Sequence, residues 1–189
     1  MRIASLLVAL LFAALGRAAA AQEQKTVVDY YLAAPAELLP YEVGEDRMKS
    51  IEDSGAGTAV KVKDVRNGYM RLSCRDGGVE VKLFPGRDGA VVLGISLTGC
   101  CCEGSCTRVL RFLSFRGGQW SNITSEVWPA VSPEEVVKAM KRGGGGYESE
   151  TMAEAAVYQF SRRSTVVRIV GGTVVAFRFR WNKDRFVRF

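Results

Sequence analysis

VEVKLFPGRDGAVVLGISL, residues 79–97, decides the fold. Val79, Val81 and Leu83 alternate with Glu80 and Lys82, a period of two that belongs to a strand with one apolar face. Asp88-Gly89 supplies the positive φ angles of a tight hairpin, and Val91, Leu93, Ile95 and Leu97 share one face of the returning run. Two strands joined by so short a turn are antiparallel.

The same pattern extends in both directions. Toward the N-terminus, Val60 and Val62 alternate with Lys61 and Lys63, and Asn67-Gly68 and Asp76-Gly77-Gly78 read as further turns. Toward the C-terminus, Arg108 to Phe115 forms a mixed-face strand, Arg116-Gly117-Gly118 turns the chain, and Gln119 to Ile123 returns. This is an antiparallel meander. Near the end, Val175, Phe177, Phe179 and Trp181 alternate with Ala176, Arg178 and Arg180, and Asn182-Lys183-Asp184 turns into a last strand, Arg185 to Phe189.

Helices punctuate the meander. Ser132-Pro133-Glu134-Glu135 carries an N-cap serine, proline at the first helical position and a glutamate closing a capping box, so a helix runs to about Lys141 and stops at Gly143–Gly146. Those glycines precede no Lys-Ser or Lys-Thr pair and are not a phosphate loop. Val27 to Leu39 reads as a short helix broken at Pro35 and then a further turn, with Tyr30, Tyr31 and Leu32 as core anchors. Glu45 to Asp53 reads as a short surface helix that buries Met48 and Ile51. Met152 to Phe160 fits two patterns. Thr151 and Glu154 fit a capping box, while Tyr158 and Phe160 lead through Ser161-Arg162-Arg163-Ser164 into Thr165 to Val170 as strand, turn, strand; the hairpin is the favoured reading. The expectation is an α+β fold, a predominantly antiparallel β-sheet meander of about eight or nine strands with two or three short helices.

The chain has 189 residues, 48% of them hydrophobic and 10% aromatic, which suits one globular domain. Its first residues read as an export signal: Arg2, then Ile3 to Leu15 with Ser5 as the sole polar residue, then Ala18 to Ala21. The run is too short to span a bilayer. Cleavage after Ala21 divides the chain into a signal peptide, 1–21, and a single α+β domain, 22–189, without a transmembrane segment and located in the periplasm or outside the cell. The formal charge of +6 falls to +4 with the loss of Arg2 and Arg17.

Several features together resemble a group of small exported bacterial proteins of unassigned function. They are Asp29-Tyr30-Tyr31, the Asn67-Gly68-Tyr69 turn, the strand Phe112 to Phe115 running into Gly118, Trp120 and Thr124, and the closing Phe179-x-Trp181-Asn182-x-Asp184-x-Phe186. The resemblance spreads over much of the mature chain. It implies a fold and a compartment and carries over no catalytic residue.

Histidine is absent, which removes Ser-His-Asp, Cys-His and HExxH catalysis, since each needs an imidazole. No residue is singled out as catalytic and no cofactor is expected. Cys74, Cys100, Cys101, Cys102 and Cys106 are disulfide candidates in an oxidising compartment, with Glu103-Gly104-Ser105 as a hairpin tip that brings one of the triplet to Cys106; the odd count leaves one thiol free or paired between chains. The rival reading is a thiolate metal or thiol-redox site, although regular CxxC pairs are missing. The acidic residues suggest helix caps and turns before a carboxylate-dependent hydrolase, and the Asn122-Ile123-Thr124 sequon is taken as chance. Arginine is concentrated at the C-terminal end, at 162, 163, 168, 178, 180, 185 and 188. Arg178, Arg180, Arg185 and Arg188 are anion-binding candidates on a solvent-facing strand surface, for an anionic polymer or an acidic protein. Export argues against nucleic acid. The leading expectation is an exported, non-enzymatic accessory or binding domain.

Overall fold

The structure is a computed structural model that describes residues 25–40, 59–74, 76–102, 105–144 and 156–189, apart from the side chains at 59, 74, 76, 100–102 and 105–107. The export segment expected at 1–21, the helix expected at Glu45–Asp53 and the capping box that Thr151 and Glu154 would form lie outside the described residues.

Helix α1, Val27–Ala33, opens the described chain, and its capping box is closed by Thr26 and Asp29. It ends before Pro35, which starts a single 3-10 turn, Ala36–Leu38. Six strands then meander in sequence order: β1 Ala59–Asp64, β2 Tyr69–Cys74, β3 Asp76–Pro85, β4 Val91–Cys102, β5 Ser105–Arg116 and β6 Gln119–Asn122. Two helices follow, α2 Thr124–Val127 and α3 Pro133–Arg142, the second capped by Ser132 and Glu135 as the sequence predicts. A four-stranded antiparallel sheet closes the fold: β7 Val157–Phe160, β8 Val166–Gly171, β9 Val174–Trp181 and β10 Phe186–Arg188, in the order β10-β9-β8-β7. The architecture is the expected α+β fold dominated by antiparallel sheet. β7 is the strand of the favoured hairpin reading.

Both faces of the six-stranded sheet are covered. Met70, Val81, Leu93, Ile95, Leu97 and Leu113 pack on one side with Val27 and Tyr31 of α1. Phe84, Val92 and Phe112 pack on the other with Phe160, Phe179, Trp181 and Phe186 of the smaller sheet, and with Val136 and Met140 of α3. Aromatic rings dominate this second core. Phe112 and Phe186 lie 4.6 Å apart between centroids, and Phe84 meets the edges of Phe160 at 5.8 Å and Phe186 at 5.3 Å.

Two expectations are corrected. Asp76-Gly77-Gly78 is not a turn: all three residues are in β3, and neither glycine has a positive φ. Gly77 is there because a β-carbon on it would sit 2.0 Å from the Thr98 carbonyl oxygen. Positive φ angles occur instead at Gly68, at Asp88 and Gly89, at Gly117 and Gly118, and at Lys183 in the last turn. The second correction concerns Glu80 and Lys82, whose alternation suggests a solvent face. They face the smaller sheet, where Lys82 is 4% exposed. Helix α2 has no sequence counterpart in the expectation. Its start is held locally, where the Asn122 side-chain oxygen accepts from the Thr124 amide at 3.0 Å and the Phe112 amide donates to the Thr124 hydroxyl at 2.9 Å.

Gly94 marks where the sheets meet most tightly. A β-carbon there would lie 2.8 Å from Phe84, 3.0 Å from Phe112 and 3.0 Å from Phe160, ring atoms locked by one another. Gly94→Ala should therefore cost about 1–3 kcal/mol of stability in urea unfolding. An unchanged midpoint would show that the three rings have room to move.

Candidate functional site

Polar side chains of the large sheet hold the edge of the small one. Glu80 of β3 accepts the Phe160 amide proton at 2.7 Å, and the Ser96 hydroxyl of β4 donates to the Tyr158 carbonyl at 2.6 Å. Lys82 Nζ donates to the carbonyls of Asn67 at 2.6 Å and Arg162 at 2.9 Å. Burial raises the Glu80 carboxyl above its ordinary range, while the Phe160 amide and the Tyr69 hydroxyl pull against that rise. Burial lowers the Lys82 ammonium, with the Asp64 charge opposing. Tyr69 is raised by burial and by its carboxylate neighbour Glu80. Asp64 runs the other way. Asn67 Nδ2 donates to it at 2.9 Å, Arg162 Nε pairs with it, and the two hold its carboxyl down at about 2. Glu80 and Asp64 are thus committed to backbone and side-chain partners that fix the fold.

The predicted anion-binding arginines occupy the β9–β10 side of the small sheet and separate into distinct settings. Arg178 and Arg180 project from the outer face of β9, opposite the buried Phe177, Phe179 and Trp181, as expected from the period of two. Arg168 of β8 stands directly across from Arg178. Arg185 is exposed in the turn whose ends are joined by the Asn182 amide and the Arg185 carbonyl at 2.9 Å. Arg188 belongs to the other face, the one that carries Phe186, because Val187 is the residue paired with Arg180. Its guanidinium lies over the Phe177 ring, 4.0 Å from the centroid. Glu135 of α3 approaches it at 3.7 Å. Among the described residues no carboxylate lies within 4.0 Å of Arg168, Arg178, Arg180 or Arg185.

Strand β10 pairs with β9 as far as Phe179, and the Phe189 amide adds one bond to the Arg178 carbonyl at 3.2 Å, so β9 from Val174 to Phe177 has no strand partner on this side and forms a ledge beside α3. A hollow of about 350 Å³ lies there, lined by Val175, Ala176, Phe177, Arg178, Arg188 and Phe189. A second, about 180 Å³, is lined by Glu135, Lys138, Ala139, Arg142, Phe177 and Arg188. Apolar surface accompanies the charge: Phe189 is 58% exposed with Arg180 over its ring at 4.6 Å, and Val187 is 45% exposed. Unpaired guanidinium groups beside flat apolar walls can hold carboxylate, phosphate or sulfate groups by bidentate hydrogen bonds. Sequence reasoning found the four arginines but missed Lys138, Arg142 and Glu135, which only the packing of α3 on β9 brings to Arg188.

The backbone gathers the cysteine positions at one end of the large sheet. Cys74 ends β2 and pairs with Gly77, Cys100 pairs with Asp76, Cys102 pairs with Ser105, and Cys106 is the second residue of β5. Their side chains lie outside the described residues. Among the described residues no group of three or more His, Cys, Asp or Glu is placed to hold a metal ion, and no helix is long and apolar enough to cross a membrane.

No family model and no curated protein matches the chain. Among solved structures it is similar to a domain of an uncharacterized protein from Porphyromonas gingivalis W83, with 15% identity and a TM-score of 0.45 over 86% of this chain and 97% of that one.

The Asp64 contact generates a pH prediction. Its carboxyl titrates near 2 in the fold against 3.8 when unperturbed, so its contribution is complete above about pH 4 and is lost as the pH falls toward 2. Stability of Asp64→Asn should vary less with pH across that interval than stability of the parent, measured by urea unfolding at each pH. Equal slopes would show that Asn67 and Arg162 do not hold the carboxylate in solution.

Proposed function

We propose that the chain is an exported, non-enzymatic binding domain whose basic ledge takes an anionic polymer or an acidic protein. The observation that carries this reading is the pair of exposed arginines on β9, Arg178 and Arg180, with the half-buried Arg168 across from Arg178 on β8; none has a described carboxylate within ion-pair reach, and Arg178 lines the larger hollow. Evenly solvated sheet faces mix both signs of charge. Here one sign is concentrated at an edge that also exposes Phe189 and Val187, and buried aromatic residues fix the strand behind it. The export half of the proposal rests on the N-terminal sequence alone, and so does oxidation of the cysteines. Convergence of Cys74, Cys100–Cys102 and Cys106 at one sheet end favours a disulfide framework over scattered thiols.

Replacing Arg178 and Arg180 together with Gln should leave stability within about 1 kcal/mol of the parent, since both stems are exposed. The same change should elute the protein from an anionic matrix at lower salt than does Gln at the exposed pair Arg66 and Arg108, with the gap closing as salt screens it. Equal elution of the two double variants would make the ledge an ordinary solvated surface.

Intact mass of the protein recovered from outside the cytoplasm tests the rest. The N-terminus should fall at Gln22 or within about three residues of it. The mass should also be short by the hydrogens of two disulfides, leaving no more than one free thiol. Retention of Met1 would remove the export claim, and three or more labelled thiols with bound copper or zinc would make the thiolate metal reading the better one.

A further inference from the structure

Arg188 already holds a carboxylate, and holds it poorly. Glu135 Oε1 lies 3.7 Å from Arg188 Nη1, beyond hydrogen-bond length, and both side chains are about half exposed. The reason is local to α3. Glu135 Oε2 accepts the Ser132 amide proton at 3.1 Å and closes the capping box, so the carboxylate cannot leave the helix end to meet the guanidinium. Meanwhile the guanidinium lies over the Phe177 ring, 4.0 Å from its centroid, and the side chain stays about half exposed, so its donors remain open to a ligand. Arg188 lines both hollows of the ledge.

We propose that the groove centred on Arg188 binds a carboxylate-bearing stretch of an acidic polypeptide, and that Glu135 is a built-in competitor for the same guanidinium. The proposal deepens the basic-ledge reading and rests on it. Charge complementarity supports the class of ligand: Lys138, Arg142, Arg178 and Arg188 line the two hollows against Glu135 alone. The walls support a polypeptide. Ala139, Val175, Phe177 and Phe189 lie among the cations, and apolar side chains spaced between carboxylates would cover them, whereas a sulfated sugar or a polyphosphate chain would not. A ligand carboxylate free to approach to about 2.8 Å would replace the longer Glu135 contact and release that side chain to its capping role.

Glu135→Gln isolates the competitor, because glutamine keeps an oxygen for the Ser132 amide and loses the charge. With poly-L-glutamate as probe at low salt, this variant should bind roughly two- to fivefold more tightly than the parent. Glu126→Gln, which removes one exposed charge from α2, should gain less. Arg188→Gln should abolish the advantage, so that the Glu135→Gln, Arg188→Gln double variant binds no better than Arg188→Gln alone. Lys138→Gln with Arg142→Gln should weaken binding without touching the cap, and a thermal melt of each variant confirms that α3 is intact. Equal gains from Glu135→Gln and Glu126→Gln, or a gain that survives loss of Arg188, would overturn the competitor. Tighter binding of heparin than of poly-L-glutamate at matched charge would overturn the polypeptide. A protein that binds polyanions, and binds them less after Arg178 and Arg180 are replaced, yet ignores Glu135→Gln, loses this inference and keeps the basic ledge. One that binds no polyanion loses both.

Discussion

The edge of β7 is fastened to the large sheet by side chains, and the position of everything C-terminal to it depends on that fastening. A free strand edge presents amides and carbonyls that must find partners once buried. Here the Phe160 amide finds Glu80, the Tyr158 carbonyl finds Ser96, and the Arg162 carbonyl finds Lys82. Each such bond contributes on the order of 1 kcal/mol net, but leaving any of these groups unpartnered in the interface would cost about 1–3 kcal/mol. The bonds therefore select one docking position more than they drive association. Association comes from Phe84, Phe112, Phe160, Phe179, Trp181 and Phe186, whose rings pack around the same seam.

This division of labour explains what could be read from the sequence. Tight turns at Asp88-Gly89 and Gly117-Gly118, the capping box at Ser132 and the outward placement of Arg178 and Arg180 are all local, and a period or a turn residue announces each of them. Glu80, Lys82 and Ser96 announce nothing, because an alternating polar residue looks the same whether it meets water or the edge of a distant strand. One signal was present. Phe84 falls on the same side of β3 as Glu80 and Lys82, and Val92 falls opposite Leu93, so apolar residues occupy both faces of these strands and neither face could be left to solvent. Gly77 is ambiguous in the sequence for a related reason: glycine serves equally for a turn and for close backbone approach, and only the neighbouring strand tells the two apart.

The candidate site was legible in half. Arginines on β9 follow from the strand period, but the place of Arg188 depends on the β9–β10 register, which pairs Val187 and not Arg188 with Arg180. Glu135, Lys138 and Arg142 come from a helix some forty residues earlier, brought to the ledge because Val136 and Met140 bury themselves in the same core as Phe177. The carboxylate that caps α3 thus also lines the groove.

Several residues of the aromatic and turn patterns in the sequence have a common property in this fold. Asp29 closes the cap of α1, Tyr30 packs its ring against Phe115 and Trp120, Thr124 ties α2 to Phe112, and the Trp181 indole donates to the Pro85 carbonyl at 2.7 Å. All of them are anchors of the scaffold. In Phe179-x-Trp181 the named positions point into the core, and the unnamed one between them is Arg180, on the outer face. A strand period of two therefore sorts the two kinds of information onto opposite sides of β9. The inward side specifies how the sheets close, and any ligand is chosen by the outward side together with the edge, where a pattern built from anchors has nothing to say.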